Sequence, residues 1–205
     1  KPNNFFNYLK ELQIKPNTYD YFNPNIYFSS LKNIALKKGY LLDYVYIYSH
    51  SLGYPELYIR KIRSKPFYKI KHYLKWKKRN SILSFIEIDK TKNSYFQVAV
   101  FEELSNQFFL HWHAKYSEST IITSQSELLN SKNIENQNID LSKITNVNFS
   151  PIVTIRDNEV EVIYYIFKLY GGLSKKTKVY TKITPLKLLK ENSENILEYD
   201  NQVLY

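Results

Sequence analysis

Residues 40–63, YLLDYVYIYSHSLGYPELYIRKIR, are where the chain switches to a period of two. Leu42, Tyr44, Tyr46 and Tyr48 fall on one face of an extended segment, with Leu41, Asp43, Val45 and Ile47 on the other. The interruption SHSLGYP offers Gly53 and Pro55 as turn residues, and ELYIRKIR then runs extended again. The stretch is expected to be an antiparallel hairpin. With the alternating segments that follow, it points to an α+β fold. The expected architecture is a mainly antiparallel sheet of roughly six to eight strands built from hairpins, with N-terminal helices and one basic amphipathic helix packed on a face.

The second strand leads directly into Arg60–Asn80, RKIRSKPFYKIKHYLKWKKRN. This block holds ten of the 29 Lys and Arg residues and no Asp or Glu; removing those ten leaves 19 basic residues against 19 acidic ones. The whole net charge of +10 is therefore carried by one short segment. Spread evenly, the basic residues would place only about three in such a window, so the cluster is more than a consequence of composition. Pro66 is placed to begin a helix. On that helix Phe67, Ile70, Tyr73 and Leu74 would share one arc, leaving Lys65, Lys69, Lys71, Lys75, Lys78 and Arg79 on the remainder and Trp76 among the lysines.

Upstream, residues 5–14 read as a short helix broken at Lys15-Pro16. Residues 25–38 read as a second, capped by Asn25 and stopped by Gly39. Downstream, residues 82–89, 95–102 and 107–115 read as strands, the last two joined as a hairpin, with a short strand at 120–123 and a brief helix in SQSELLNS. Residues 130–150 read as an exposed polar loop. A hairpin is expected around Asp157-Asn158 and a further strand at 175–183, while the C-terminal stretch from Pro185 is weakly patterned. No repeat or linker appears, so residues 1–205 read as a single domain.

Composition excludes several classes of chemistry. Four glycines, at positions 39, 53, 171 and 172, supply neither a P-loop nor a dinucleotide fingerprint. The absence of cysteine removes disulfides, thiol nucleophiles and thiolate metal sites. No run of 18 or more apolar residues is present, as a transmembrane helix would require. Lys, Asn, Ile, Tyr and Phe make up nearly half the chain, the signature of an AT-rich genome, so the tyrosine count of 20 carries little weight by itself. The reading expects a soluble, cytoplasmic protein without a cofactor. Because the chain begins at Lys1 and contains no methionine, a removed leader stays open.

The polyanion-binding candidates are Arg60, Lys61, Arg63, Lys65, Lys69, Lys71, Lys75, Trp76, Lys77, Lys78 and Arg79. Each phosphate neutralised by Lys or Arg releases condensed counterions. Tyr68, Tyr73 and Trp76 would add base stacking, at about 1–3 kcal/mol per base. An acidic protein or an anionic membrane surface would meet the same charge. His111 and His113 share one face of an extended segment and are the metal candidates, with Asp43, Glu87, Asp89 or Glu102 as further ligands, although polar strand residues are the commoner explanation. Glu87-Ile88-Asp89-Lys90 with Glu56 loosely resembles the acidic set of a metal-dependent nuclease, and Glu159 and Glu161 also pair on one strand. Ser49-His50-Ser51 lacks the glycines of a nucleophile elbow. Tyr44, Tyr46 and Tyr48, beside Tyr58 and Arg60, are expected to form a half-buried sheet face.

Two functions of different class follow. The favoured one is a non-enzymatic binding domain whose basic aromatic segment engages nucleic acid or another polyanion, or an acidic protein partner. The alternative is a metal-assisted phosphodiester hydrolase centred on His111 and His113. The bland alternative is a solvated basic face with no ligand at all.

Overall fold

A computed structural model describes residues 23–49, 52–67, 69–105, 107, 111–112, 118–130, 141–168 and 171–198. The expected helix at 5–14 lies outside these residues. The fold is α+β with antiparallel sheets, as the hairpin reading required. The strands do not form one sheet, however. Among the described residues they divide into a two-stranded, a three-stranded and a five-stranded sheet. The chain gathers into two compact units, one comprising Lys1–Lys115 with Ile183–Lys187, the other Tyr116–Lys182 with Leu188–Tyr205. No composition change marks the boundary between them.

In the first unit, α1 covers only Pro24–Phe28 and β1 is Ile34–Leu36, so the helix expected over 25–38 is replaced by one and a half turns and a strand. The cap is Asn23, whose side chain accepts from the Asn25 backbone N–H at 3.0 Å. Asn25 itself behaves as an artificial strand neighbour: its amide donates to the Leu42 carbonyl at 2.9 Å and accepts from the Leu42 N–H at 2.8 Å. Ser29 and Ser30 turn their hydroxyls onto the Ile26 and Tyr27 carbonyls and help close the helix there. Gly39, at φ +85°, sits in the turn that leads into β2 (Tyr40–Ser49).

β2 pairs along its length with β3 (Leu52–Lys61), from Tyr40↔Lys61 to Ser49↔Leu52. The hairpin is therefore tighter than the sequence suggests. Gly53 and Pro55 lie inside β3, opposite Tyr48 and Tyr46, and only residues 50–51 connect the strands. After the basic helix α2 (Ile70–Lys77) comes a 3-10 turn at Ile82–Phe85, then β4 (Ile86–Ile88), which pairs antiparallel with β1.

Residues 95–102 are not a strand. They belong to α3 (Lys92–Leu104), which runs into the turn expected at 103–106. A nearly continuous apolar run has no periodicity to separate strand from buried helix. The deciding local signal is Thr91, which caps the helix by accepting from the Ser94 N–H at 3.2 Å. Tyr95, Val98, Ala99, Phe101 and Leu104 are buried, and Phe101 meets Phe28 edge-on at 5.1 Å. Asn33 fastens β1 to this helix by exchanging two hydrogen bonds with Gln97, at 2.8 and 3.0 Å. β5 is the pair His111–Trp112, set against Leu52 and Gly53 of β3.

In the second unit, β6 (Ser119–Ile122) and β7 (Ile152–Ile155) share one edge of β8 (Glu159–Lys168), and β9 (Gly172–Thr181) takes the other. The 120–123 strand, the hairpin across Asp157-Asn158 and the 175–183 strand appear where expected. So does the helix in SQSELLNS, α4 (Gln125–Leu129), where Ser124 caps Glu127 and Glu127 reaches back to the Thr123 N–H at 2.8 Å. The segment read as an exposed loop divides. Residues 131–140 lie outside the described residues, whereas Ile144 and Phe149 join Ile122, Leu128, Phe167, Leu173 and Leu197 in the core. The weakly patterned C-terminal stretch contains a full strand, β10 (Leu188–Leu197), paired with β9.

Asp89 is the polar hinge between β4 and α3. Its carboxylate accepts from the Thr91 hydroxyl at 2.6 Å, the Thr91 N–H at 2.9 Å and the Asn33 amide at 2.7 Å. These bonds, those from Thr91 first, hold its pKa well below the ordinary value of 3.8. A depressed carboxylate stabilises the folded chain above its ordinary pKa, and that contribution is lost as the pH falls below it. Thermal melts of Asp89→Asn should therefore lie below wild type at pH 7 and converge with wild type on acidification below about pH 4.

Candidate polyanion interface

The basic segment is mounted on one face of the β2–β3 hairpin. The register pairs Leu41 with Arg60, Asp43 with Tyr58 and Val45 with Glu56, so these six residues share that face. Tyr44 lies on the other, opposite Leu57. Tyr58 and Arg60 are thus on the face opposite Tyr44, rather than beside it as the sequence suggested. The error comes from the position of the turn, because a one-residue change in pairing moves every side chain to the other face.

Arg60 is the first fastening. Its Nε lies 2.6 Å from Asp43 Oδ2, with both side chains largely buried. Its Nη1 donates to the Ser64 carbonyl at 2.6 Å and the Ile62 carbonyl at 3.3 Å, holding the turn that leaves β3. Asp43 Oδ1 accepts from the Tyr44 N–H at 2.8 Å. Burial of a carboxylate and a guanidinium is tolerated here because Asp43 Oδ1 and Arg60 Nη1 also find backbone partners.

Tyr58 is the second. It is fully buried, hydrogen-bonds Asp43, and accepts from the Phe67 N–H at 2.8 Å. Phe67 stacks on its ring at 4.3 Å, and Trp76 and Tyr73 approach at 6.0 and 6.4 Å. Val45, Tyr58 and Tyr73 form the buried centre of this cluster, with Phe67 and Trp76 packed against it. Burial, the largest cause, pushes the Tyr58 phenol up from 10.0 to about 12. The third fastening is Glu56, which accepts from the Tyr73 hydroxyl and meets Lys77 Nζ at 3.2 Å.

The helix therefore docks by a different arc from the one its sequence suggested. α2 starts at Ile70 rather than Pro66, with Lys69 as its cap residue. Tyr73 and Trp76 face the hairpin, while Ile70 and Leu74, expected to be core, are 46% and 48% exposed. A helical wheel shows which residues can share an arc, but not which arc the protein covers. Trp76, placed among the lysines in sequence, is a packing residue.

The sequence-derived candidates separate accordingly. Arg60, Trp76 and Lys77 take part in the mounting. Lys61, Arg63, Lys65, Lys69, Lys71, Lys75, Lys78 and Arg79 are all exposed. Lys71, Lys75 and Lys78 follow at i, i+4 and i+7 and form a row on the helix, which keeps αR geometry through Lys78. Tyr68 lies outside the described residues.

The other candidate sites are not assembled in the described structure. His111 is on β5, and His113 lies outside the described residues. Among the described residues no group of three or more His, Asp or Glu side chains gathers as a metal set. Asp43, Glu56 and Asp89 are committed to Arg60, Tyr73 with Lys77, and Thr91 with Asn33; Glu87 is exposed. Glu159 and Glu161 are bridged by Arg156, at 2.8 and 3.1 Å. Ser49 ends β2, with His50 and Ser51 outside the described residues. What the sequence missed is the anchoring role of Asp43 and Glu56, a signal available only from a two-residue hairpin connection. Compared with protein-family models, curated proteins and solved structures, the chain matches none.

Asp43→Ala should cost about 3–5 kcal/mol, because it strands a largely buried guanidinium; urea unfolding measures it. A phenol whose pKa is raised on folding adds stability below its unfolded pKa, and that stability is lost as the pH rises through the folded value. Wild-type stability should fall between pH 10 and 12, and Tyr58→Phe should flatten that fall, a comparison open to alkaline melts.

Proposed function

We propose that the protein is a non-enzymatic binding domain that engages nucleic acid or another polyanion through the basic segment 60–80. The observation that carries this reading is the division of labour within the segment. One subset, Arg60, Phe67, Tyr73, Trp76 and Lys77, fixes it to the hairpin. The other subset projects eight exposed basic residues for which no acidic partner occurs among the described residues. Unpaired like charges held close together repel one another, and a polyanion relieves that repulsion while releasing its own counterions.

Mounting also lowers the ordering cost of binding, because the backbone that presents the lysines is already immobilised by the ion pair and the aromatic cluster. Arg60 contributes as a clip rather than as a ligand contact. The segment itself contains no carboxylate, and the two that touch it, Asp43 and Glu56, are paired with Arg60 and with Tyr73 and Lys77.

If roughly five residues meet phosphate on a duplex, a plot of log affinity against log salt should have a slope of about −4 to −5. Charge reversal at Lys71, Lys75, Lys78 and Arg79 should abolish binding to DNA, RNA and heparin while leaving the thermal midpoint nearly unchanged, because these side chains are exposed. Absence of binding by the wild-type chain at low salt would overturn the reading and leave the segment as a solvated face.

A further inference from the structure

Among the described residues of the basic segment, Phe67, Tyr73 and Trp76, which could stack on bases, are turned inward. Tyr73 is buried, and Phe67 and Trp76 pack on the cluster around Tyr58. What the helix offers outward is of a different kind: the aliphatic pair Ile70 and Leu74, one turn apart and each about half exposed. Beside this pair runs the row Lys71, Lys75 and Lys78. A nucleic acid backbone gains little from two exposed aliphatic side chains, and sequence-independent single-strand binding gains most from aromatics. An anionic bilayer uses both components, charge at the headgroups and aliphatic groups at the acyl boundary.

We propose that the polyanion met by this segment is an anionic lipid surface, on which α2 lies flat with Ile70 and Leu74 dipping into the headgroup region. The inference rests on the polyanion reading above and names its ligand class. The eight-residue helix would be about 12 Å long, and lysine stems can extend along the apolar boundary while their ammonium groups stay among lipid phosphates. Two aliphatic groups are too few for stable insertion, so attachment is peripheral, reversible and dependent on lipid charge. No helix among the described residues is long and apolar enough to cross a membrane, and none is needed for this mode.

The test is co-sedimentation of the 205-residue chain with vesicles of phosphatidylcholine alone and with about 30% phosphatidylserine, alongside heparin and duplex DNA titrations. The expected result is binding to the serine-containing vesicles and none to the neutral ones. Ile70→Gln with Leu74→Gln should weaken vesicle binding roughly tenfold and leave heparin binding intact. Lys71→Glu with Lys75→Glu and Lys78→Glu should weaken both. Binding to heparin or DNA without binding to anionic vesicles would overturn the lipid inference alone, as would unchanged vesicle binding by the Gln pair. Failure to bind any of the anionic probes would overturn both. Circular dichroism and melting of each variant confirm that the fold is retained.

Discussion

The contact between Asp43 and Arg60 couples the two halves of this protein's most unusual region. On one side it joins adjacent strands of the hairpin diagonally, since Asp43 faces Tyr58 and Arg60 faces Leu41. On the other, the same guanidinium holds the Ser64 and Ile62 carbonyls and sets the path of the chain as it leaves the sheet. Tyr58 extends the arrangement by bonding Asp43 and receiving the Phe67 N–H. An acid on β2 thereby controls where a cationic helix begins some thirty residues later. A buried ion pair contributes little net stability compared with an apolar replacement, but it is demanding about geometry. Here that geometry is what positions α2.

The mounting separates two roles that sequence alone merges. Basic residues in a block look equivalent, and a Trp among lysines looks like a stacking platform. In the folded chain Arg60 and Lys77 are partnered by acids, and Trp76 is spent on packing. Among the described residues, the outward surface is left with basic side chains and the aliphatic pair Ile70 and Leu74, together with His72. Under the lipid proposal, that residue mixture, rather than the count of positive charges, is what would discriminate among anionic partners.

Legibility differed by element for physical reasons. The hairpins β2–β3 and β7–β8 and strand β9 were readable because alternation is a local property of a half-buried strand. So was α4, through its Ser124 and Glu127 capping signature. α3 was misread as a strand because its apolar run carries no period and its cap, Thr91, is a single residue. β10 was missed because Leu188 to Asn195 are exposed on both faces, so no burial alternation exists to be read. Its strand character comes from pairing with β9, including the Lys175–Glu194 and Lys176–Glu191 contacts at 3.8 and 3.6 Å.

The amino-acid sequence by itself, through composition, charge placement and periodicity, established that the net charge resides in residues 60–80, that cysteine and glycine-loop motifs are absent, and that hairpins dominate an α+β fold. Charge and periodicity are sums over neighbours in the chain, so they survive without knowledge of contacts. Which arc of α2 is covered, which face of β2 meets it, and which carboxylates serve as anchors were decided only by tertiary structure. Each depends on the β2–β3 register and on packing partners distant in sequence, and a strand register shifted by one residue would have turned Asp43 away from both Arg60 and Tyr58.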